Sequence, residues 1–289
     1  MDSRFLQSLI AVIEHGSIAE AARSLNLTPA AIGQRIRTLE SDLNTELLIR
    51  TGHKARPTES CIQLLPQMRE IVLKCQDLEF GWDPKGLSGV LRVGAISTAL
   101  TGLVSSAIRE VTQGYPQMQI HLFPGTSKEL HRQVTDGDLD LAVIVSPPTT
   151  EKLLFIEALY REPLVLITPD SASTTPESML RTEPFIAYDP TSWGGLIIQK
   201  YLDRKGLKPN VISVLDSPET IAYLVGEGLG VSIMPDWGGL NTPTRKLRLI
   251  PLPDLSEQRV ISTIYRHDSP RIKKMELFNA MLKKLMRKR

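Results

Sequence analysis

The sequence predicts three parts: a small N-terminal unit of three helices with a β-wing, one long helix, and a C-terminal α/β domain. Three patterns lead to this prediction. Capped amphipathic helices and a glycine turn occupy residues 1–58, a long helical pattern and a hinge follow over 59–87, and strands alternate with helices over 88–289. The 289 residues provide enough chain for two or three domains with packed cores.

The composition excludes several classes of protein. Hydrophobic residues make up 42% and charged residues 23%, which is typical of a soluble globular protein. The formal net charge is only +2, so charge alone does not indicate a protein that coats nucleic acid. The two cysteines, Cys61 and Cys75, are too far apart to form a disulfide if they share one helix. Because there is neither a signal peptide nor an apolar run of the ~20 residues that a membrane span needs, we expect a cytoplasmic protein without a membrane partner.

The first sixty residues carry start and stop signals for three helices. The first helix stops at Gly16, and Ser17 with Glu20 forms a capping box for the second. Thr28 is an N-cap, and Pro29 takes the first position of the third helix, where its missing N–H costs nothing. The buried stripe of this third helix consists of Ile32, Ile36, Leu39 and Leu43.

The opposite face of the third helix suits a DNA major groove. It carries small residues near its start, then an amide and a guanidinium, Gln34 and Arg37. Two extended segments follow around a glycine turn whose tip carries His53 and Lys54, so the pattern is that of a winged helix-turn-helix. Residues 1–60 contain seven basic and seven acidic residues, so a small packing domain without DNA contacts is the alternative.

These segments resemble the DNA-binding domain of LysR-type transcriptional regulators. The resemblance rests on residues 21–28, on residues 30–40, and on the wing at 47–51 with 57–59. It implies that the residues contacting DNA are Arg4, Thr28, Pro29, Ala30, Gly33, Gln34, Arg37, His53 and Lys54. The family often has a polar residue where Pro29 stands and a serine where Gly33 stands. Base reading is therefore expected to rest on Gln34 and Arg37.

The long helix carries apolar residues at alternating spacings of three and four from Cys61 to Leu78. This heptad pattern, with Pro66 near its start, predicts a dimerisation helix. The seam would consist of Leu64, Met68, Ile71, Cys75 and Leu78. A helix buried in the core of one domain is the alternative. The family resemblance implies a homodimer that assembles into a homotetramer, and a hinge is expected at 81–86.

Beyond residue 88 the alternation of strands and helices predicts an α/β domain with a mainly parallel sheet. Residues 136–142, 162–165 and 228–235 resemble the effector domain of LysR-type regulators, which has the two-lobe architecture of type II periplasmic binding proteins. The resemblance implies a ligand cleft between the lobes. The expected bounds are 88–162 plus 267–289 for lobe I and 163–266 for lobe II, with crossings near 162–164 and 266–268.

Polar residues at the carboxyl ends of the predicted strands indicate the ligand site. Ser97 and Thr98 begin a helix, where free N–H groups and the helix dipole attract an anion, although helix capping alone also explains them. The expected effector-binding residues are Ser97, Thr98, Thr126, Ser146, Tyr188, Ser192 and Trp193. Trp193 either stacks on an aromatic ligand or packs in the core. The set suggests a small organic acid.

No pattern indicates catalysis, a metal or a cofactor. The five histidines lack metal-ligand spacing, and the sequence has no glycine-rich phosphate loop and no Gly-x-Ser-x-Gly motif. We therefore expect a transcriptional regulator, not an enzyme, that binds double-stranded operator DNA and a small-molecule effector. RNA polymerase is a further partner that such a regulator is expected to have. The alternative is a solute-binding protein or a cleft enzyme on the same two-lobe fold, neither of which needs a winged helix.

Overall fold

The computed structural model describes residues 2–51, 54–79, 83–149, 151–169, 175–240, 247–252 and 258–287. These residues form two compact units, one from residues 1–89 with 136–138 and one from 90–135 with 139–289. In the described ranges, no helix combines the length and the apolar character that crossing a membrane requires. Gly81 and Trp82 of the predicted hinge lie outside the described residues.

The three predicted helices of the N-terminal unit are confirmed as α1 (Ser3–His15), α2 (Ile18–Ser24) and α3 (Pro29–Leu43). Gly16 ends α1 in the left-handed conformation, with φ of 67°, and the Thr28 hydroxyl caps α3 by accepting from the Ala31 amide at 3.2 Å. Ser17 caps α2 as predicted. The reciprocal half of that capping box is wrong, because the Glu20 carboxylate pairs with Arg23 instead.

The wing consists of β1 (Leu48–Thr51) and β2 (Lys54–Pro57), which pair antiparallel. The Glu40 carboxylate of α3 accepts hydrogen bonds from the amides of Leu47 and Leu48, the first at 2.9 Å. The Ala55 amide donates to the Gly16 carbonyl at 2.9 Å. The wing is therefore tied both to α3 and to the turn between α1 and α2. His53, predicted at its tip, lies outside the described residues.

The long helix α4 (Glu59–Glu79) uses much of its predicted dimer seam inside its own unit. Met68 is only 4% exposed, and Leu64 is partly buried against the same core. Met68 belongs to the hydrophobic core of the three helices, so its side chain is not available to a dimer seam, whereas the assignment of the half-buried Leu64 stays a prediction. Helix α4 packs on α1, and the apolar face that carries Cys61, Met68 and Val72 is used in the core of this unit. Ile71 and Leu78 stay exposed, at 38% and 78%, and Cys75 is half-buried.

The second unit has two lobes. Lobe I begins with β3 (Gly89–Ala95), α5 (Ser97–Ala99), a π-helical segment (Leu100–Val104), α6 (Ser105–Gly114), β4 (Met118–Pro124), α7 (Ser127–Thr135), β5 (Leu141–Val145) and β6 (Leu154–Glu162). Lobe II contains β7 (Leu164–Pro169), α8 (Pro176–Thr182), β8 (Pro184–Tyr188), α9 (Trp193–Arg204), β9 (Asn210–Leu215), α10 (Pro218–Gly226), β10 (Ser232–Pro235) and β11 (Leu247–Pro251). The last strand and helix are β12 (Arg259–Arg266) and α11 (Ile272–Met286).

Both lobes have mixed sheets, which corrects the prediction of a mainly parallel sheet. The strand order in lobe I is β4-β3-β5-β12-β6, with β3 parallel to β5 and β12 antiparallel to both of its neighbours. In lobe II, β7 lies between β10 and β11 and pairs antiparallel with both, while β8 and β9 are parallel. A bridge between Phe185 and Val231 joins these two sets of strands.

The position of β12 corrects the predicted boundary between the lobes. Its register places Ile261 opposite Val145 and Ile264 opposite Ala142, both on β5. Residues 259–266 therefore belong to the sheet of lobe I, although the sequence placed them in lobe II. The second crossing lies between Leu252 and Arg259 rather than near 266–268, and residues 253–257 lie outside the described part of the chain.

The basic C-terminal helix is ion-paired within lobe I. Lys283 contacts Glu157 at 2.6 Å, and Lys284 contacts Glu110 at 2.9 Å. Just before α11, Arg271 contacts the buried carboxylate of Asp140 at 3.3 Å, and Arg92 contacts the same carboxylate at 2.9 Å. Asp140 therefore ties Arg92 on β3 to Arg271 before α11 and stabilises lobe I.

Candidate functional site

The exposed face of α3 carries the side chains that the sequence predicts for the major groove. Ala30, Gln34 and Arg37 are all exposed, and the Arg37 Nη2 donates to the Gln34 Oε1 at 3.0 Å. Gly33 is buried, and a Cβ there would lie 3.9 Å from the Arg37 Nη1, which is an ordinary contact distance. Alanine would therefore fit at this position beside Arg37.

Two other predicted DNA contacts already have partners within the unit. The Arg4 Nη2 donates to the Asp2 Oδ2 at 2.6 Å, and this hydrogen bond lowers the pKa of Asp2 to about 2. A phosphate would compete with Asp2 for this exposed guanidinium. Thr28 and Pro29, at the start of α3, are exposed, and the Thr28 hydroxyl is engaged in capping.

The wing adds further basic side chains next to α3. Lys54 and Arg56 are exposed on β2. Arg35 does not add to this exposed basic surface, because its side chain is half-buried and its Nη1 donates to the Ser8 hydroxyl at 3.1 Å. The exposed cations that α3 and the wing present therefore include Arg37, Lys54 and Arg56, with the Gln34 amide beside them.

A cavity of about 410 Å³ lies between the two lobes of the second unit. Four helices, α5, α7, α9 and α10, begin at its edge, so their N-terminal residues line it. The predicted effector residues that line the cavity are Ser97, Thr98, Thr126, Tyr188, Ser192 and Trp193. Ser146 is not among the lining residues. Its hydroxyl hydrogen-bonds to that of Ser262 on β12, so the prediction for Ser146 is wrong.

The cavity contains a buried cation that the sequence analysis missed. Arg259 is 1% exposed and lines the cavity at the start of β12. Its Nε donates to the Glu162 Oε2 at 2.6 Å, and its Nη2 donates to the Thr98 Oγ1 at 2.6 Å. The available signal was an arginine directly before the apolar run of β12, because a charge on a buried strand is rarely found without a function or a partner.

Arg259 and its partners Glu162 and Thr98 are all shielded from solvent. Burial raises the pKa of Glu162, Arg259 opposes this increase, and the negative charge of Asp236 adds to it. Burial likewise raises the pKa of Tyr188, while the charge and hydrogen bond of Arg259 act in the opposite direction. Electrostatic interactions at this end of the cavity are therefore weakly screened.

The predicted anion seat at Ser97 is occupied by a carboxylate of the protein itself. The Ser97 hydroxyl of lobe I donates to the Glu219 Oε2 of lobe II at 3.0 Å. On the lobe II side, the Ser192 hydroxyl accepts from the Gly195 amide at 2.9 Å and donates to the Asp189 carbonyl at 2.7 Å. Sequence reasoning found the two serines but had no signal for Glu219, whose partner is distant in the chain.

Trp193 lines the cavity and also packs across it. Its ring meets the ring of His131 from α7 edge-on, with centroids 5.4 Å apart and an interplanar angle of 74°. The tryptophan thus makes a contact between the lobes in addition to facing the cavity. Elsewhere, the described residues include no group of three or more side chains suited to holding a metal ion.

Family models and curated relatives match both units. A model described as "Bacterial regulatory helix-turn-helix protein, lysR family" matches residues 3–61, and one described as "LysR substrate binding domain" matches residues 84–287. A hydrogen peroxide-inducible genes activator of Haemophilus influenzae is 28% identical over 282 residues, covering 93% of this chain and 92% of that protein. A probable RuBisCO transcriptional regulator of Cyanophora paradoxa is 34% identical over 245 residues, covering 79% of this chain and 74% of that protein.

Solved structures share the fold over nearly the whole chain. A full-length OxyR of Pseudomonas aeruginosa with a cysteine-to-aspartate substitution has a TM-score of 0.73 at 19% identity, covering 98% of this chain and 94% of that one. CbnR, a LysR family transcriptional regulator, has a TM-score of 0.57 at 20% identity, covering 98% of this chain and 100% of that one. The helix-turn-helix match over residues 3–61 argues against a solute-binding protein or a cleft enzyme, because neither needs that unit.

Proposed function

The chain belongs to the LysR family of bacterial regulatory proteins, and we propose that it reads its operator with α3 and the wing under the control of a small molecule bound between the lobes. As a member of that family it is a DNA-binding transcriptional regulator with an effector-binding domain, and not an enzyme. We place the action of the regulator in the cytoplasm, because operator DNA is there.

The exposed pair Gln34 and Arg37 carries this proposal most directly. Arg37 holds the Gln34 amide by a hydrogen bond of 3.0 Å, so the two side chains are preorganised side by side on α3. Amide and guanidinium groups provide the donors and acceptors that distinguish base pairs in the major groove. Lys54 and Arg56 on the wing, and Arg4 after release from Asp2, would contact phosphates, which position the protein on DNA. His53, which the sequence predicts at the wing tip and which lies outside the described residues, would join them.

Oligomerisation would place several winged helices on one operator. LysR-type regulators form oligomers. The exposed residues Ile71 and Leu78, with Cys75 between them, recur at spacings of four and three along one face of α4. We assign this stripe to a contact between two copies of α4, and a pair of such dimers forms the tetramer. RNA polymerase would be the further protein partner at a promoter that the regulator activates.

The cavity between the lobes is the proposed effector site, and its effector is a small organic acid. Four helix N-termini and Arg259 surround the cavity, and both features favour a negatively charged group. Residues 88–289 contain no cysteine, so this domain has no thiol with which to sense an oxidant. A bound ligand would instead shift the populations of lobe arrangements, and the change would be passed to the DNA-binding heads.

The test of the DNA-binding proposal uses the double variant Gln34→Ala, Arg37→Ala. The full-length protein selects its operator from fragments of the genome, and the operator is then footprinted. We expect the double variant to weaken specific binding by about 1–3 kcal/mol per lost base contact, because the base-reading side chains are removed. Arg132→Ala, which removes an exposed charge on α7, serves as the control and keeps wild-type binding. An unchanged footprint in the double variant would refute the assignment of the α3 face to the major groove.

A further inference from the structure

The charges around the effector cavity do not match a ligand that is only an anion. Its lining contains two cations, Lys128 and Arg259, against three carboxylates, Glu129, Asp189 and Asp216. Two more carboxylates adjoin it, since Glu162 contacts Arg259 and Glu219 contacts Ser97. A ligand with negative charge alone would be attracted by Arg259 and repelled by most of the remaining charges. A ligand that also carries a positive charge would complement both signs.

Among these five carboxylates, Glu219 is distinguished by a buried oxygen that lacks a hydrogen-bond donor among the described residues. Its Oε2 accepts from the Ser97 hydroxyl, whereas its Oε1 is shielded from solvent and has no hydrogen-bond partner among the described residues. A buried carboxylate oxygen without a donor is unfavourable, so the site lacks a donor group. An ammonium group provides three donors together with the opposite charge.

Arg259 and Glu219 bond to adjacent residues of the cavity lining, because Arg259 donates to the Thr98 hydroxyl and Glu219 accepts from the Ser97 hydroxyl. Both influence the ionisation of Tyr188: Arg259 by a hydrogen bond and its positive charge, and Glu219 by its negative charge. Because Ser97 and Thr98 are neighbours in the chain and both line the cavity, the positive and the negative group lie close together there. A molecule with its own anionic and cationic groups a few bonds apart could span this short separation.

The size of the cavity is compatible with such a ligand. At about 410 Å³ it lies at the small end of the range for ligand pockets, ~300–1,000 Å³, and it admits an amino acid with its side chain. Accepting the cavity as the effector site, as proposed above, we infer that the effector is a zwitterion of the amino-acid class. Its ammonium group binds Glu219, and its carboxylate faces Arg259 and the helix N-termini.

The test compares ligands that differ only in their charged groups. The thermal stability of the full-length protein is measured with each of the twenty standard amino acids at millimolar concentration. For each compound that raises the Tm, the affinity is then measured by calorimetry together with that of its analogue lacking the amine. We expect the analogue to bind at least about tenfold more weakly, because the donor to Glu219 is missing.

Two variants separate the role of Glu219 from a general effect of charge. Glu219→Gln retains a carbonyl oxygen that can accept from Ser97, so the contact between the lobes is preserved, but it removes the negative charge. In this variant the amino acid and its amine-free analogue should bind equally. Glu227→Gln removes an exposed carboxylate at the end of the same helix and should keep the wild-type preference.

Three outcomes would overturn the inference: no amino acid raises the Tm, the amine-free analogue binds as tightly as the amino acid, or Glu219→Gln keeps the preference for the amine. If an amine-free acid binds in place of amino acids, the proposal that the cavity is the effector site is supported. The inference that the effector is a zwitterion is then refuted. If instead an amino acid binds through Glu219 but the operator footprint is absent, the DNA-binding proposal fails while this inference is supported.

Discussion

At the scale of single residues, the two cysteines have different surroundings although they share α4. Cys61 is fully buried in the core of the N-terminal unit, whereas Cys75 is half-buried. Burial, with a smaller contribution from the charge of Glu40, raises the pKa of the Cys61 thiol to about 11. Near pH 7 only about one Cys61 side chain in ten thousand is then a thiolate, which is the nucleophilic form.

Cys61 should therefore resist alkylation in the folded protein. We expect native Cys61 to remain unmodified by iodoacetamide at neutral pH, and to react readily once urea exposes it. Its rate in the folded protein should continue to rise up to about pH 11 instead of levelling off near the ordinary thiol pKa of about 8.5. Mass spectrometry of the peptide that contains Cys61 measures the extent of alkylation. Rapid labelling of native Cys61 at pH 7 would contradict the prediction.

Residues that cap helices could be predicted from the sequence, whereas residues that pair across the fold could not. Ser97 and Ser192 were found because each lies at a recognisable helix start. Arg259 and Glu219 were missed because their partners are remote: Arg259 bonds to Glu162 across 97 positions, and Glu219 bonds to Ser97 across 122. Local patterns contain no information about such pairs. The error at Ser146 has the same origin, because its partner Ser262 lies on a neighbouring strand.

At the scale of single elements, the start of α9 depends on a glycine. A Cβ at Gly195 would lie 1.9 Å from the Asp189 carbonyl oxygen, so alanine forces the backbone apart. Gly195→Ala should lower the free energy of unfolding by about 1–3 kcal/mol and displace the Ser192 cap from the cavity. Gly114→Ala is the matched control, since nothing lies within 4 Å of its Cβ and the change should be neutral or stabilising by up to about 1 kcal/mol. Equal stability of the two variants in urea unfolding would contradict this account.

A second prediction at this scale concerns the two apolar faces of α4, the exposed one with Ile71 and the buried one with Met68. Ile71→Lys should raise the dissociation constant of the dimer by at least about tenfold and leave the fold intact, because Ile71 is exposed in the single chain. Sedimentation equilibrium measures the dimer, with exposed Gln63→Lys as the control on the same helix. Met68→Lys should instead unfold the unit, since it buries a charge in the core. An unchanged dimer in Ile71→Lys would refute the proposed stripe.

Some elements were easier to predict than others. The helices α1 to α4 begin and end with strong local signals, and their bounds agree closely with the structure. Strand β9 was missed because Val211, Ile212 and Val214 are exposed at the edge of a sheet, without the alternation that marks a half-buried strand. The lobe of β12 could not be predicted, because strand pairing is a tertiary property that depends on β5 and β6.

At the scale of the whole molecule, net charge is a poor guide to function. Residues 271–289 contain eight basic residues and one acidic residue, which dominate the overall +2. Within the described part of this segment, Lys283 and Lys284 pair with carboxylates of their own lobe. DNA binding depends instead on a few placed side chains, of which Arg37 and Lys54 are exposed on α3 and the wing. Oligomerisation would multiply their contribution on one operator.

The central claim is that a molecule bound between the lobes changes how the winged helices hold the operator. The most direct test is a footprint of the operator by the full-length protein, with and without the ligand that raises the Tm most. At saturating protein, we expect the ligand to change the protected boundary or the pattern of hypersensitive positions. The same ligand should leave the footprint of a variant that no longer binds it unchanged. Identical wild-type footprints with and without a ligand that demonstrably occupies the cavity would contradict the claim.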